Sequence, residues 1–438
     1  MNRKTIFLSL KRSELLRNTS ILISGTAIAQ LIPIILQPIL RRYYSPEIFG
    51  AYAVYLSLVG ILAIASSFKY ELAIILPGKD KDAVNVFYLT VFINLIFNII
   101  LFILILIFNK ELLNFFNLSD EFRIYLYFVP LGIFFYNLYQ SINNWLIRKK
   151  LFFAVSVNKF IRRGAEGIFQ IIFRYLKISS GVIFGDLIGH VGNLISGFYQ
   201  GRSGGLKFSL VSITKLKYVA GKYSEFPKFN LIPSFMSACS FLLPVLLLNK
   251  FFSSENTGYF DLSRLLLSIP LALISTSISS VLLQSMTEKF RKKKSMMKDL
   301  FQILMIVLVI GTLEVIVIVF FGVELFKFLF GESWEYSGKI SQVLVWAYAL
   351  NFVVASFSAV FISLNKIKLL SIWQVFYFVS ILSLVLFKHL IFIDFLKMYV
   401  FIEVSCYLIM VIMLVSIISK YEKSLDVMND LNVNVSDS

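Results

Sequence analysis

SSENTGYFDLSRLLLSIPLALISTSISSVLLQSMTEKF, residues 253–290, is an apolar stretch of membrane-spanning length with an acid and a base near one end. An α-helix crosses ~30 Å of hydrocarbon with ~20 residues, so the segment is long enough to span a bilayer. Asp261 and Arg264 are three residues apart and therefore neighbours on one face of that helix. They follow closely on Gly258, where the chain is already entering hydrocarbon. A charge at that depth costs ~2.5–3.5 kcal/mol on insertion scales and is normally kept facing a protein interior or a water-filled cavity. Both residues are candidate functional groups for that reason.

The stretch has an echo 208 residues earlier, in SPEIFGAYAVYLSLVGIL (45–62). Superposing the two aligns Ser45 with Ser253, Glu47 with Glu255 and Gly50 with Gly258, after which two apolar helices run on in step. Each copy is also the second span of its own half of the chain. Together these matches point to an internal repeat, with the chain organised as two six-helix halves.

Composition sets the class. Of 438 residues 58% are hydrophobic and 16% aromatic, and the mean hydropathy is +0.81. Soluble proteins are nearer ~45–50% apolar, so the chain reads as an integral membrane protein. Its apolar blocks run 20 residues or more, which fits helices; barrel strands alternate over ~10 residues. The formal charge of +17 suggests nucleic acid at first sight, but the Lys and Arg residues lie between spans on alternating sides. The positive-inside rule accounts for that distribution, and no nucleic-acid partner is expected. Cys239 and Cys406 fall inside apolar helices and are expected to be free thiols. The only histidines, His190 and His389, rule against a His-rich metal site. No cofactor or metal is expected.

The expected spans are about 18–40, 48–68, 83–108, 123–146, 151–174, 178–200, 226–249, 257–284, 298–321, 338–363, 368–388 and 391–418. The arm with Lys and Arg at 3, 4, 11, 12 and 17 is read as a cytoplasmic lead-in to a retained first span, since the apolar region runs on past the length of a signal-peptide core. Counting Lys and Arg gives 27 in the connections on the side of the termini and 11 on the other, with four of the 42 inside spans. That imbalance places both termini in the cytoplasm. The domain organisation expected is a six-helix half over 1–200, a basic cytoplasmic linker over 201–225, a second six-helix half over 226–420, and a disordered polar tail over 421–438.

The fifth span, LFFAVSVNKFIRRGAEGIFQIIFRYL (151–176), carries Lys159, Arg162, Arg163 and Glu166 within two turns. Entering at Leu151, the helix places them ~12–18 Å along its axis, near the bilayer middle. The alternative is a helix that protrudes into the cytoplasm, with interfacial snorkelling of the long side chains. Against it, residues 164–174 alone are too short to cross. In the sixth span Asp186 and His190 are four apart and share a face. They are either a proton-coupled pair, since a carboxylate raises the proton affinity of His, or an interhelical hydrogen bond beside a glycine-rich face.

Arg41 and Arg42 end a first span bent by Pro33 and Pro38, and serve either a cavity or the interface as anchors. Glu314 in the ninth span and Glu403 in the twelfth are lone carboxylates, read as coupling groups or as protonated packed acids. The span Asn and Gln residues are more often interhelical hydrogen bonds than ligands. Counted together, Lys159, Arg162, Arg163 and Arg264 outnumber Glu166 and Asp261. A cavity with surplus cations favours an anionic cargo, and Arg grips phosphate bidentately.

Three stretches carry a family resemblance: ILRRYYSPEIFGAYAVYLSL (39–58), FKYELAIILPGKDKDAVNV (68–86) and NTGYFDLSRLLLSIPLALISTSISSVLLQ (256–284). With their spacing, the helix count and the basic middle linker, the chain resembles Wzx-type O-antigen flippases of the multidrug/oligosaccharidyl-lipid/polysaccharide exporter superfamily over about 1–420. The resemblance implies an all-α membrane protein of about 12 transmembrane helices in two six-helix halves around a cationic central cavity. It implies no enzyme but a flippase that turns an undecaprenyl-pyrophosphate-linked oligosaccharide, an O-antigen or capsule repeat unit, from the cytoplasmic to the periplasmic leaflet of the bacterial inner membrane.

The family's basic residue in the eighth span falls on Arg264, and the charged end of its second span on Lys69, Tyr70 and Glu71. Lys159, Arg162 and Arg163 rest on the physical argument alone, and the substrate-binding set expected is Arg264, Lys159, Arg162, Arg163, Arg41, Arg42 and Lys69. The coupling or gating set is Asp261, Asp186, His190, Glu166, Glu314 and Glu71. Besides the lipid-linked oligosaccharide, the expected partners are membrane lipids, a polysaccharide polymerase and a chain-length regulator.

Two other functions fit less well. A drug/cation antiporter on the same fold calls for carboxylates to dominate the cavity. A membrane-embedded polymerase or lipid-sugar transferase needs a large loop to bind sugar, and the longest here is about 25 residues.

Overall fold

The computed structural model describes the backbone over residues 14–436 and the side chains of residue 25 and residues 28–425, so the basic arm at 3, 4, 11, 12 and 17 lies outside the described side chains. Among the described residues the chain is all-α, without strands. Twelve long helices follow one another: α1 (Glu14–Tyr43), α2 (Pro46–Ser66), α3 (Asp80–Ile107), α4 (Arg123–Arg148), α5 (Phe152–Tyr175), α6 (Gly181–Ser203), α7 (Leu231–Phe251), α8 (Ser254–Arg291), α9 (Met297–Phe330), α10 (Glu335–Phe357), α11 (Ile367–Leu382) and α12 (Phe392–Ser436). Each corresponds to one of the twelve spans expected from hydropathy.

Nine segments among the described residues are both long and apolar enough to cross a membrane; they include α2, α3 and α6–α12. The other three, α1, α4 and α5, have 30, 26 and 24 residues. At ~1.5 Å per residue all three exceed ~30 Å of hydrocarbon. α5 stands apart from its neighbours because Lys159, Arg162, Arg163, Glu166 and Arg174 interrupt its apolar sequence. The protein is a multi-pass membrane protein.

The repeat is visible in how its two copies begin. Ser45 Oγ accepts a hydrogen bond from the amide of Ile48 at 3.4 Å, and Ser253 Oγ accepts one from the amide of Asn256 at 3.1 Å. Aligned serines thus cap α2 and α8, and the aligned Glu47 and Glu255 place negative charge in each first turn, where the helix dipole favours it. The aligned glycines have a second reason to be there. A Cβ on Gly50 would overlap the carbonyl oxygen of Ser254, and a Cβ on Gly258 would overlap that of Pro46. Pro46 and Ser254 are themselves 208 residues apart, so the contact is reciprocal, as a local two-fold requires.

The chain divides into two compact units, Met1–Gly258 and Tyr259–Ser438. The boundary falls at the start of α8 and not in the 201–225 linker, because α7 packs on α2 within the first unit. In that unit α5 packs along both α1 and α6, and α4 contacts α2, α3 and α6. Amides bridge the helices. Asn137 Nδ2 donates to Ala63 O at 2.7 Å and Asn94 Nδ2 to Phe134 O at 3.0 Å, while Asn193 Nδ2 donates to Asn158 O at 2.8 Å. In hydrocarbon such bonds replace the water the amides would otherwise need.

In the second unit α10 packs on α9 and α12, and α11 lies along α12. Ser263 Oγ on α8 donates to Ser337 O at 2.7 Å. Cys239 and Cys406 are both free and buried. The helix α12 continues to Ser436, so the backbone of 421–436 is helical where a disordered tail was expected. Its continuation is anchored at Glu422, whose Oε1 accepts the Met296 amide at 2.7 Å.

Candidate functional site

α5 and α6 bring together five residues singled out in the sequence. The glycines of α6 make this possible: a Cβ on Gly189 would lie 2.6 Å from the carbonyl oxygen of Arg162, and one on Gly185 would lie 2.8 Å from that of Glu166. Without side chains on that stripe the backbones approach closely. Asp186, on the same turns, then meets Arg162, with Nη2 3.6 Å from Asp186 Oδ1. His190 Nε2 stands 3.7 Å from the same oxygen, and the Tyr55 hydroxyl of α2 donates to Oδ2 at 3.4 Å. One carboxylate is therefore shared among three groups at distances longer than a tight hydrogen bond.

One turn along α5, Arg163 Nη1 donates to Glu166 Oε2 at 2.7 Å. The tyrosines of neighbouring helices close round the cluster. Arg162 lies over the Tyr139 ring at 5.3 Å, His190 meets the edges of Tyr136 and Tyr139, and Tyr52 stacks on Tyr55.

The burial bears on the snorkelling alternative for α5. The side chain of Arg162 is 12% exposed and that of Asp186 3%. A snorkelling arginine reaches water, whereas this one ends on a buried carboxylate. Charge is also more evenly matched than the count along α5 and α8 suggested, because Asp186 arrives from α6. Arg162 answers Asp186 and Arg163 answers Glu166, and Lys159 stands half-buried one turn before them.

The second unit has its own polar set. Arg264 Nη2 is 3.2 Å from Asp261 Oδ1, as the three-residue spacing predicted. Tyr348 and Tyr399 lie within electrostatic reach of both Arg264 and Glu403. Glu403 Oε1 accepts from the Tyr377 hydroxyl at 2.7 Å, with the hydroxyls of Tyr399 and Tyr407 also turned to it. Trp373 stacks on Tyr377 at 5.1 Å and donates from Nε1 to Cys406 O. Sequence reasoning named Glu403 but none of these aromatics. The available signal was that a tyrosine inside a span needs a partner for its hydroxyl.

The remaining predicted residues lie elsewhere. Arg41 is fully buried at the end of α1. Its Nε donates to Gln37 Oε1 at 2.9 Å and its Nη1 to Gly258 O at 3.4 Å, and its guanidinium lies 3.6 Å from the Phe49 ring centroid. It braces the repeat junction. Arg42 beside it is exposed.

Lys69 precedes a 3₁₀ turn, Tyr70–Ile75, and Glu71 lies in its first turn, with Nζ and Oε1 3.6 Å apart. Tyr70 fixes that turn by donating to Ala220 O at 2.9 Å, and burial raises its pKa, so it stays a neutral donor. The same end of the unit is clamped by Asp80, which accepts from Arg148 at 3.0 Å and from Lys149, and by Asp82, which accepts from Lys215 at 2.7 Å. Glu314 is half-buried on α9, and its Oε2 has no hydrogen-bond partner among the described residues. No group of three or more His, Cys, Asp or Glu side chains is arranged to hold a metal among the described residues.

The profile of the family described as "Polysaccharide biosynthesis protein" matches residues 39–339. This chain belongs to that family. The matched stretch contains both copies of the repeat, the α5–α6 cluster and the Asp261–Arg264 pair. No curated protein matches.

Among solved structures, the fold is similar to an inward-facing multidrug resistance MATE family transporter of the MOP superfamily, with a TM-score of 0.71 and 16% identity over 89% of this chain and 94% of that one. It is similar also to the lipid II flippase MurJ in an inward closed conformation, with a TM-score of 0.70 and 15% identity over 95% and 93%. A third, a MOP superfamily transporter from Pyrococcus furiosus described as having a binding pocket of reverse polarity, gives 0.58 and 16% over 93% and 96%. At these identities the likeness is one of fold, and the fold is that of membrane transporters and flippases.

Proposed function

We propose that this member of the polysaccharide biosynthesis family is a flippase. It moves an undecaprenyl-pyrophosphate-linked oligosaccharide, an O-antigen or capsule repeat unit, from the cytoplasmic to the periplasmic leaflet of the bacterial inner membrane by alternating access. The observation that carries the reading is the family match over 39–339 on a fold shared with a lipid II flippase. The lysine and arginine imbalance supports cytoplasmic termini. The delivered unit is then material for a polysaccharide polymerase and its chain-length regulator, the protein partners we expect.

In this reading the arginines hold the pyrophosphate while the polyprenyl tail stays in lipid. Arg162 and Arg163 are the binding groups of the first unit, with Lys159 beside them. Arg264 serves the second. Asp186, shared among Arg162, His190 and Tyr55, is the group that changes partner. When a phosphate takes Arg162, the carboxylate is left beside His190, which makes the pair the natural place to couple cargo to a proton. Asp261, Glu166 and Glu314 are further candidates for coupling, and Lys69 and Glu71 for gating.

The direct test is reconstitution: purified protein in vesicles carrying a lipid-linked oligosaccharide on one leaflet, probed with a membrane-impermeant lectin or periodate. Exposure of the sugar on the opposite leaflet is expected with wild-type protein and is lost with Arg162→Gln. No transfer by well-folded wild type refutes the reading.

The pairing of Arg162 and Arg163 with carboxylates favours one second reading, a drug/cation antiporter, since the first-unit charges are nearly balanced. Proton-driven efflux of a cationic dye by the same vesicles, with no sugar transfer, would select it.

A further inference from the structure

A cleft of about 570 Å³ opens in the second unit where the end of α8, the start of α11 and the last membrane turns of α12 come together. Its wall is apolar: Phe290, Leu364, Leu369, Ile412 and Ile417. Its mouth is not. Lys366 and Lys420 stand there with Ser416 and Ser424, and among the described residues neither ammonium is paired with a carboxylate.

The surrounding chain adds more positive charge. Tyr421 lines the cleft and holds the turn after α8 against α12, its hydroxyl donating to Lys294 O at 3.0 Å and its ring lying 5.6 Å from that of Phe290. This fixes Arg291, Lys292, Lys293 and Lys294 in the same neighbourhood. Of these Lys292 is answered by Glu288, while Glu422 on α12 accepts the Met296 amide through Oε1. Every segment involved belongs to the side that the lysine and arginine count assigns to the cytoplasm.

We propose that this cleft is a binding site for one anionic diacyl phospholipid of the cytoplasmic leaflet. An acyl chain lies along Ile412 and Ile417, and the headgroup phosphate rests between Lys366 and Lys420, with the hydroxyl of Ser416 as a donor. The volume is in the range of small-molecule sites, ~300–1,000 Å³, and matches an acyl chain better than a whole polyprenyl tail. Basic recesses between membrane helices on the cytoplasmic side are suited to anionic headgroups, because the leaflet there is itself negative. The site uses none of the residues assigned to the cargo. Its occupant bridges α8, α11 and α12, so it would hold the second unit together irrespective of what is transported.

The experiment is native mass spectrometry of the full chain released from nanodiscs of phosphatidylcholine, of phosphatidylglycerol and of their mixture, together with the thermal midpoint in each lipid. One phosphatidylglycerol per protein is expected to survive activation, with no comparable retention of phosphatidylcholine. The double variant Lys366→Gln/Lys420→Gln, at two exposed positions, is expected to weaken that retention about 30-fold, near 1 kcal/mol for each lysine. Met413→Trp, which narrows the cleft, is expected to displace the lipid without altering the surface charge. Inorganic phosphate alone is expected not to raise the thermal midpoint, since the acyl chain is part of the site. Equal retention by the double variant, equal retention of phosphatidylcholine, or stabilisation by free phosphate each overturns the proposal. Preferential capture of polyprenyl phosphate from a mixture with phosphatidylglycerol also overturns it and makes the cleft part of the cargo path.

Discussion

The side chain of Arg162 is only 12% exposed, and Asp186 is the counter-charge buried with it. Removing one partner of a buried pair leaves an uncompensated charge and costs about 3–5 kcal/mol, whereas removing both can be nearly neutral. Asp186→Ala alone is therefore expected to lower the thermal midpoint of the purified protein sharply. The double variant Asp186→Ala/Arg162→Met is expected to recover most of the midpoint while surface polysaccharide stays absent. A double variant that restores polysaccharide would remove Arg162 from the transport machinery. Arg264 gives a second residue-scale prediction. Lys can also pair with the Asp261 carboxylate that Arg264 meets at 3.2 Å, but a two-pronged grip on phosphate is beyond Lys. Arg264→Lys is expected to retain normal protein levels and lose most polysaccharide. Wild-type polysaccharide from Arg264→Ala would sink the role.

At the scale of elements, the junction between the two repeat copies is set by backbone meeting backbone at Gly50 and Gly258. Because the obstructing atoms are carbonyl oxygens of Ser254 and Pro46, no side-chain rearrangement can make room. Either glycine changed to alanine is expected to cost more than the ~1–3 kcal/mol typical of overpacking and to deplete folded protein in the membrane. The capping serines are a milder case. Ser45→Ala and Ser253→Ala are each expected to lower stability by about 1 kcal/mol, read as a small fall in thermal midpoint, with transport preserved. The repeat was legible in the sequence because serine cap, acidic first turn and glycine are local requirements that recur with the helix start. That the two glycines face one another was not legible, since contact between distant segments leaves no trace in spacing alone. The same holds for Asp186 and Arg162: each stood out as a charge within a span, but their pairing depends on the glycine stripe of α6 bringing two backbones together.

For the whole molecule, hydropathy was the strongest signal, and the twelve helices follow it because a backbone in hydrocarbon has no alternative to internal hydrogen bonds. Two things escaped it. The end of α12 is helical beyond Lys420, as a long helix already formed extends more easily than a new one begins. The tyrosine surround of Glu403 is spread over α10, α11 and α12, with no single segment in which to see it. The central claim, that the protein moves a complete lipid-linked unit across the bilayer, is tested most directly in a strain lacking this gene, by determining which leaflet holds the undecaprenyl-pyrophosphate-linked unit. The account predicts complete units on the cytoplasmic leaflet, shielded from impermeant reagents in intact spheroplasts and released to them by lysis. Complete, unpolymerised units accumulating on the periplasmic leaflet would contradict it and assign the protein to a step after translocation.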